Sequence, residues 1–289
     1  MILIITPCIV VLACALFTIF RFYQSEKFVK TQEQWLFSFI RNSRRLIEHL
    51  PKHRGMANAF LKGDGSFKSP LMSIQSEIDS DLEALKKLLM KKEAVIKDDA
   101  IQYMFDDWQT LKQQVLTLSP QVSFSKHTRL IGQFLETLED TTELTYFKNR
   151  IDNFHQRLLN SIVSDIPLLA ETIGQARGIG TGVAAQAECS VENRIKLIYL
   201  LERSKKIINN SLNPLLNYGK IDSSPLKSEF DTSMNNCNTF LDTLRSTLID
   251  AESIEIEPNQ YYQTATHAIE STYTLFDKIL PIIENTKTH

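Results

Sequence analysis

The sequence predicts an all-α protein, an N-terminal transmembrane helix followed by two antiparallel four-helix bundles, and three observations carry that prediction. Glycine and proline number only nine each in 289 residues, which leaves little turn chemistry for an all-β fold, and strand-like alternation is nearly absent. Residues 2–20 carry no charge and approach the ~20 apolar residues that a spanning helix needs. Beyond them, a chain that is 43% hydrophobic can bury a substantial core in one or two domains. The expected division is a span at residues 1–22 and a helical domain at 23–289, with halves of roughly 23–145 and 146–289.

The uncharged run has a rival reading as a cleaved signal peptide, but it lacks a basic n-region and a clear small-x-small cleavage site. Val11-Leu-Ala-Cys14 hints at a lipoprotein site, yet Leu12 fits that pattern poorly and the apolar run continues past Cys14. A retained span is the expectation. Arg21, Lys27 and Lys30 follow it, so charge bias alone would place the large domain in the cytoplasm, although large domains are translocated largely regardless of charge.

The helices follow in order. The first runs from near Tyr23 to Leu61, continuous with the span, and Gly63-Asp-Gly65 with Pro70 ends it. A second covers Leu71 to Met90. Asp98-Asp99 starts a third, in which Tyr103, Phe105, Trp108 and Leu111 read as core, until Ser119-Pro120 stops it. Ser123 caps a fourth with apolar positions at Leu130, Ile131, Phe134, Leu135 and Leu138, running on through Phe147, Ile151 and Leu158.

A fifth helix begins at about Ile166. Ser190 opens a sixth, with Ile195, Leu197, Ile198 and Leu201, closing before Pro214 or at Gly219. Pro225 to Ile249 gives a seventh. Glu257-Pro258 precedes the eighth, which holds Tyr261, Tyr262, Ala265, Ile269, Tyr273, Phe276 and Ile279. Helices of this length on short connectors pack as antiparallel neighbours and bury their apolar stripes against each other.

Two of these helices carry an arginine where a core residue belongs. In the fifth, Leu169, Ile173, Gly180 and Ala184 recur at helical spacing, and Arg177 lies on the same face. Four of the nine glycines fall between Gly174 and Gly182, although each interior helical glycine costs about 1 kcal/mol relative to alanine. The expected compensation is close approach, by a neighbouring helix or by a small ligand that a Cβ would exclude. In the first helix Leu46, Leu50, Arg54, Ala57 and Leu61 share one face, and Gly55 follows the arginine. The two arginines stand 123 positions apart, which suggests a weak internal duplication.

Other chemistry finds little support. A net charge of −2 with interspersed signs gives no basic footprint for nucleic acid. No Cys/His spacing resembles a zinc site, and the six histidines are scattered. No Gly-rich loop joins a strand to a helix, no Ser/His/Asp or Cys/His arrangement has a recognisable context, and the carboxylates read as solvated faces, so no enzyme and no cofactor are expected. Cys8 and Cys14 lie in the span; Cys189 and Cys237 are either one disulfide or two unrelated thiols, the second being the plainer reading.

Three segments, Leu50-Pro-Lys-His-Arg54-Gly-Met-Ala-Asn-Ala-Phe-Leu61, Ile166-Pro-Leu-Leu-Ala-Glu-Thr-Ile-Gly-Gln-Ala-Arg177-Gly178 and Gln260-Tyr-Tyr-Gln-Thr-Ala-Thr-His-Ala-Ile269, resemble the nitrate- and nitrite-sensing (NIT) domain of bacterial receptors and regulators. The resemblance spans most of residues 30–286. It implies an all-helical double bundle in which paired arginines hold a small oxyanion, here Arg54 and Arg177, with Gly55 and Gly178 beside them as ligand-binding positions. A guanidinium suits that role because it is always charged and its planar fork of donors matches a planar anion. Two such groups facing each other repel unless an anion sits between.

The competing reading is a pair of buried salt bridges, Arg54 with Glu48 or Asp81 and Arg177 with Glu171 or Glu188, while Arg44, Arg45 and Arg194 are ordinary surface charges. The resemblance further implies a single-pass protein of the bacterial inner membrane with its bulk domain in the periplasm. Because NIT-type sensors feed an output module and this chain ends at Lys287-Thr-His289, the signal is expected to pass to a separate protein. Homodimerisation is left open. The alternative is a membrane-anchored helical interaction module with no small ligand.

Overall fold

Helix α1 runs unbroken from Ile2 to Leu61. Its apolar positions at Leu36, Ile40, Ile47, Leu50 and Ala57 return to one side of the helix, and all are buried. The helix stops where Gly63 takes a left-handed φ of 105°, a conformation that costs glycine little. In this computed structural model the backbone is described for residues 2–90, 98–145, 151–216, 221 and 226–286, and the side chains for the same residues except 2–15 and 98–101.

The remaining helices are α2 (Lys68–Met90), α3 (Asp98–Gln114), α4 (Pro120–Glu143), α5 (Asn153–Asn160), α6 (Ile166–Gln186), α7 (Val191–Ile207), α8 (Asn213–Leu216), α9 (Leu226–Leu244) and α10 (Pro258–Glu284). Single π-helical turns join α5 to α6 at Ser161–Asp165 and α7 to α8 at Ile208–Leu212, and another follows α9 at Arg245–Ile249. No strand occurs among the described residues. The all-helical expectation therefore holds.

Packing divides the helices into two groups that share α6. In the first, α1 packs on α2 and α4, and α3 on α4; in the second, α6 packs on α7 and α10, and α9 on α10. Both α1 and α4 also touch α6. One continuous hydrophobic core runs through both groups, from Leu36 to Ile283.

Proline chemistry explains the boundaries that differ from expectation. Pro70 lies in the first turn of α2, where its missing N–H removes no hydrogen bond, so it opens that helix instead of closing the one before. Ser119 likewise begins α4: its side chain accepts from the Val122 N–H, with Pro120 at the first helical position. The expected cap, Ser123, is one turn inside and buried. The fourth helix stops at Glu143, and Asp152 caps a separate α5 by accepting from the N–H groups of Phe154 and His155. Phe147, Gly219 and Pro225 lie outside the described residues.

On α7, Leu197 and Leu201 are buried as expected, whereas Ile195 and Ile198 face outward. Tyr103 is exposed while Trp108 is fully buried, so only part of that aromatic group belongs to the core. Cys189 and Cys237 are separate free thiols. Burial pushes the Cys237 thiol up to about 12.

Pro51 sits inside α1 and cannot donate the hydrogen bond that the Ile47 carbonyl would receive in an unbroken ladder. Tyr273 of α10 supplies the missing donor, its Oη lying 3.1 Å from the Ile47 oxygen. The freed acceptor is thus satisfied from another helix.

Among the described residues no helix is long and apolar enough to cross a membrane. The transmembrane helix expected at residues 2–20 is therefore not found, and most of that run, Cys8 and Cys14 included, falls where side chains lie outside the described residues. Leu16, Phe17, Ile19 and Phe20, which are described, are all exposed.

Candidate functional site

Arg54 and Arg177 line the same cavity, of about 610 Å³, between α1, α6 and α10, with Phe124 of α4 closing one side. Gly55 and Gly178 line it as well. The folding logic is the one their spacing implies: Leu50 and Ala57 anchor the α1 face that carries Arg54, and Leu169, Ile173 and Ala184 anchor that of Arg177. Packing these faces together brings the two arginines to one chamber. Lys52 and Lys62 add positive charge to its walls, against Glu48 and Glu270.

The two arginines differ in their partners. Arg54 is 4% exposed and grips the Glu171 carboxylate in a bidentate pair, Nη1 to Oε1 at 2.5 Å and Nη2 to Oε2 at 3.0 Å. Its Nη1 also donates to Thr128 Oγ1 at 3.1 Å, and its guanidinium carbon lies 5.0 Å from the centre of the Phe124 ring. Gln175, one turn along α6, donates to Glu171 Oε1 at 2.8 Å. This corrects the expectation of two facing, unpaired arginines on the Arg54 side.

Neither anticipated salt-bridge set is formed. Asp81 is taken by Arg45 at 2.6 Å and by His49 at 2.8 Å, and Glu48 by Arg44 at 3.1 Å. Glu171 cannot serve Arg177, because residues six apart on a helix project about 120° from one another. It points instead to the arginine arriving from α1. A guanidinium taken out of water needs a counter-charge with good geometry, and Glu171 supplies it. Arg44, expected as a plain surface charge, bridges α1 to α10 through Asp277 at 3.1 Å and lies 4.3 Å over the Tyr273 ring.

Arg177 is half-buried. Its Nη1 donates to Thr266 Oγ1 at 2.8 Å, and its guanidinium lies 4.8 Å over the ring of Tyr262. Among the described residues no carboxylate comes within ion-pair distance of it. Burial is the main cause holding its pKa below the ordinary arginine value, and the positive charge of Arg54 acts in the same sense; Tyr262, Tyr273 and Glu270 oppose them. The result is a cation held in place without an ion-pair partner among the described residues.

Three of the four glycines of α6 are explained by side chains, not by a vacant slot. A Cβ on Gly174 would lie 3.2 Å from Arg54 Nη2, one on Gly178 3.0 Å from the Phe124 ring, and one on Gly180 2.4 Å from Tyr261. Tyr261 enters so closely because its Oη donates to the Ala176 carbonyl at 3.1 Å. Around Gly55, by contrast, a Cβ would meet nothing within 4 Å.

A second polar constellation lies directly behind Arg54. His53 Nδ1 and His127 Nε2 are 2.7 Å apart, His127 Nδ1 is 2.6 Å from the Ser123 carbonyl, and the Gln75 amide nitrogen is 3.2 Å from His53 Nε2. A carbonyl can only accept, so His127 carries its proton on Nδ1 and its Nε2 accepts from His53 Nδ1–H. Gln75 then donates to His53 Nε2. Both rings are neutral: burial first, and the other ring second, lower His53 to about 2, and burial lowers His127 to about 4. Sequence spacing offered one weak signal for this, His127 standing one turn after Ser123; nothing in it linked His127 to His53.

Among curated proteins none matches the chain. A solved structure described as "Structure of the NasR transcription antiterminator" superposes with a TM-score of 0.65 over 93% of this chain and 73% of that one, at 13% identity. At that identity the likeness is one of fold. The family described as nitrate and nitrite sensing (NIT) matches residues 45–280, a stretch that contains every residue lining the arginine cavity. The chain belongs to the nitrate- and nitrite-sensing family.

Proposed function

We propose that the chain is a membrane-anchored sensor that binds nitrate or nitrite in the cavity shared by Arg54 and Arg177. The observation that carries this reading is Arg177: a guanidinium on a cavity wall, held by Thr266 and Tyr262 and without a carboxylate partner among the described residues. Its planar fork suits a planar oxyanion better than the point charge of a lysine would. Arg54, Arg177, Lys52 and Lys62 together outnumber Glu48 and Glu270 on the same walls, which favours an anion over a neutral ligand. The likeness in fold to a protein described as a transcription antiterminator supports a regulatory role over a catalytic one.

The helices are read as two antiparallel four-helix bundles, α1–α4 and α6, α7, α9 and α10, with the anion at their junction. An anchor at residues 2–20 rests on the absence of charge there, and a periplasmic domain rests on what the family resemblance implies. If nitrate binds only the folded state, ligand at 100 times its Kd adds about 2.7 kcal/mol of stability. Thermal denaturation with nitrate should therefore show a clear upward shift. Arg177→Ala should remove most of it and Arg177→Lys should restore little. A parent protein that responds to no small anion would leave the sensor reading without support.

A further inference from the structure

We propose that Glu171 is an internal stand-in for the ligand: it occupies the fork of Arg54 until the incoming anion displaces it. The inference rests on the anion-sensing reading above and adds how the site discriminates and responds. A carboxylate presents two coplanar oxygens to a guanidinium, as nitrate and nitrite do, and Glu171 fills both terminal nitrogens of Arg54 in that manner. Glu171 fills the Nη1–Nη2 edge of Arg54, so an anion that takes that same edge has to displace it. The buried Arg54 therefore chooses between two partners, Glu171 or an anion held on Arg177.

The surroundings are built for the exchange. Gln175 already donates to Glu171 Oε1 at 2.8 Å, so the carboxylate keeps a hydrogen bond when Arg54 lets go. Gly174 leaves the guanidinium lying against bare backbone, where a Cβ would stand 3.2 Å from Nη2. Because Glu171 and Arg177 both belong to α6 while Arg54 belongs to α1, the exchange replaces a direct α1–α6 ion pair by a bridge through the anion. An ion that cannot offer two coplanar oxygens, such as chloride, displaces Glu171 poorly. Glu171 thereby sets a threshold of affinity and of shape.

The test is nitrate and chloride titration of the full chain by calorimetry, with Glu171→Gln and Glu171→Asp beside the parent. Removing the competing charge, or shortening its reach, should tighten nitrate binding by about tenfold or more, as expected for loss of a charge-assisted bidentate competitor. Chloride should then become a measurable ligand of Glu171→Gln. If Glu171→Gln fails to fold, Glu171→Asp alone decides. Nitrate binding that is unchanged or weaker in a folded variant would overturn the proposal and make Glu171 a residue that merely positions Arg54. If neither parent nor variants bind nitrate, it is the sensor reading itself that fails.

Discussion

His53 of α1 and His127 of α4 meet nitrogen to nitrogen at 2.7 Å inside the core, one residue from the arginine that holds Glu171. Both are neutral in the fold, with pKa values lowered to about 2 and about 4 from an unfolded value of 6.5. Between those values and 6.5 the unfolded chain binds more protons than the native one, so stability is fully present above pH ~6.5 and is lost as pH falls below it. Urea denaturation at pH 7.5, 5.5 and 4.5 should show that decline. In His127→Gln, where one titrating ring is gone, the decline over the same window should be shallower. An identical slope in parent and variant would show that the pair does not govern acid sensitivity.

Arg54 and Arg177 should respond very unequally to truncation in the absence of ligand. Arg54→Ala leaves Glu171 buried without its charge partner, a loss of about 3–5 kcal/mol. Arg177→Ala removes one hydrogen bond and one stacked contact and relieves a buried cation, for a net change within about 1 kcal/mol. Denaturant midpoints of the two variants measure the contrast; equal losses would mean that Arg177 has a counter-ion after all.

The glycines allow a paired test. Gly180→Ala drives a Cβ to 2.4 Å from Tyr261 and should cost about 1–3 kcal/mol through overpacking, more than the roughly 1 kcal/mol of helix propensity it gains. Gly132→Ala meets nothing within 4 Å and should stabilise by up to about 1 kcal/mol. Calorimetric Tm values for both should move in opposite directions.

For the apolar start of α1, full-length protein should resist carbonate extraction and retain residues 2–20 by mass spectrometry. Alkaline phosphatase fused after the last helix should be active in cells. A mature protein beginning beyond Phe20 would remove the anchor, and an inactive fusion would reverse the proposed topology.

The helical class and the shared arginine cavity were legible because they depend on periodicity: Leu50, Arg54 and Ala57, or Ile173, Arg177 and Gly180, reach the core side by spacing alone. Ser190 and Pro258 were legible as helix starts because capping is local. The pairing of Arg54 with Glu171 was not, since it joins residues 117 positions apart and depends on how α1 rotates against α6. The histidine pair escaped for the same reason. At Ser119 and Pro70 a proline that looks like a stop serves as a start, two roles that differ only in which side of the residue the helix lies.

The proline within α1 has a mechanical consequence. A buried carbonyl left without a donor is costly, so Pro51 is tolerated inside α1 because Tyr273 of α10 ties down the Ile47 oxygen. Pro51 and Tyr273 both line the arginine cavity, so this one hydrogen bond resists sliding of α1 along α10 at the level where the ligand would sit.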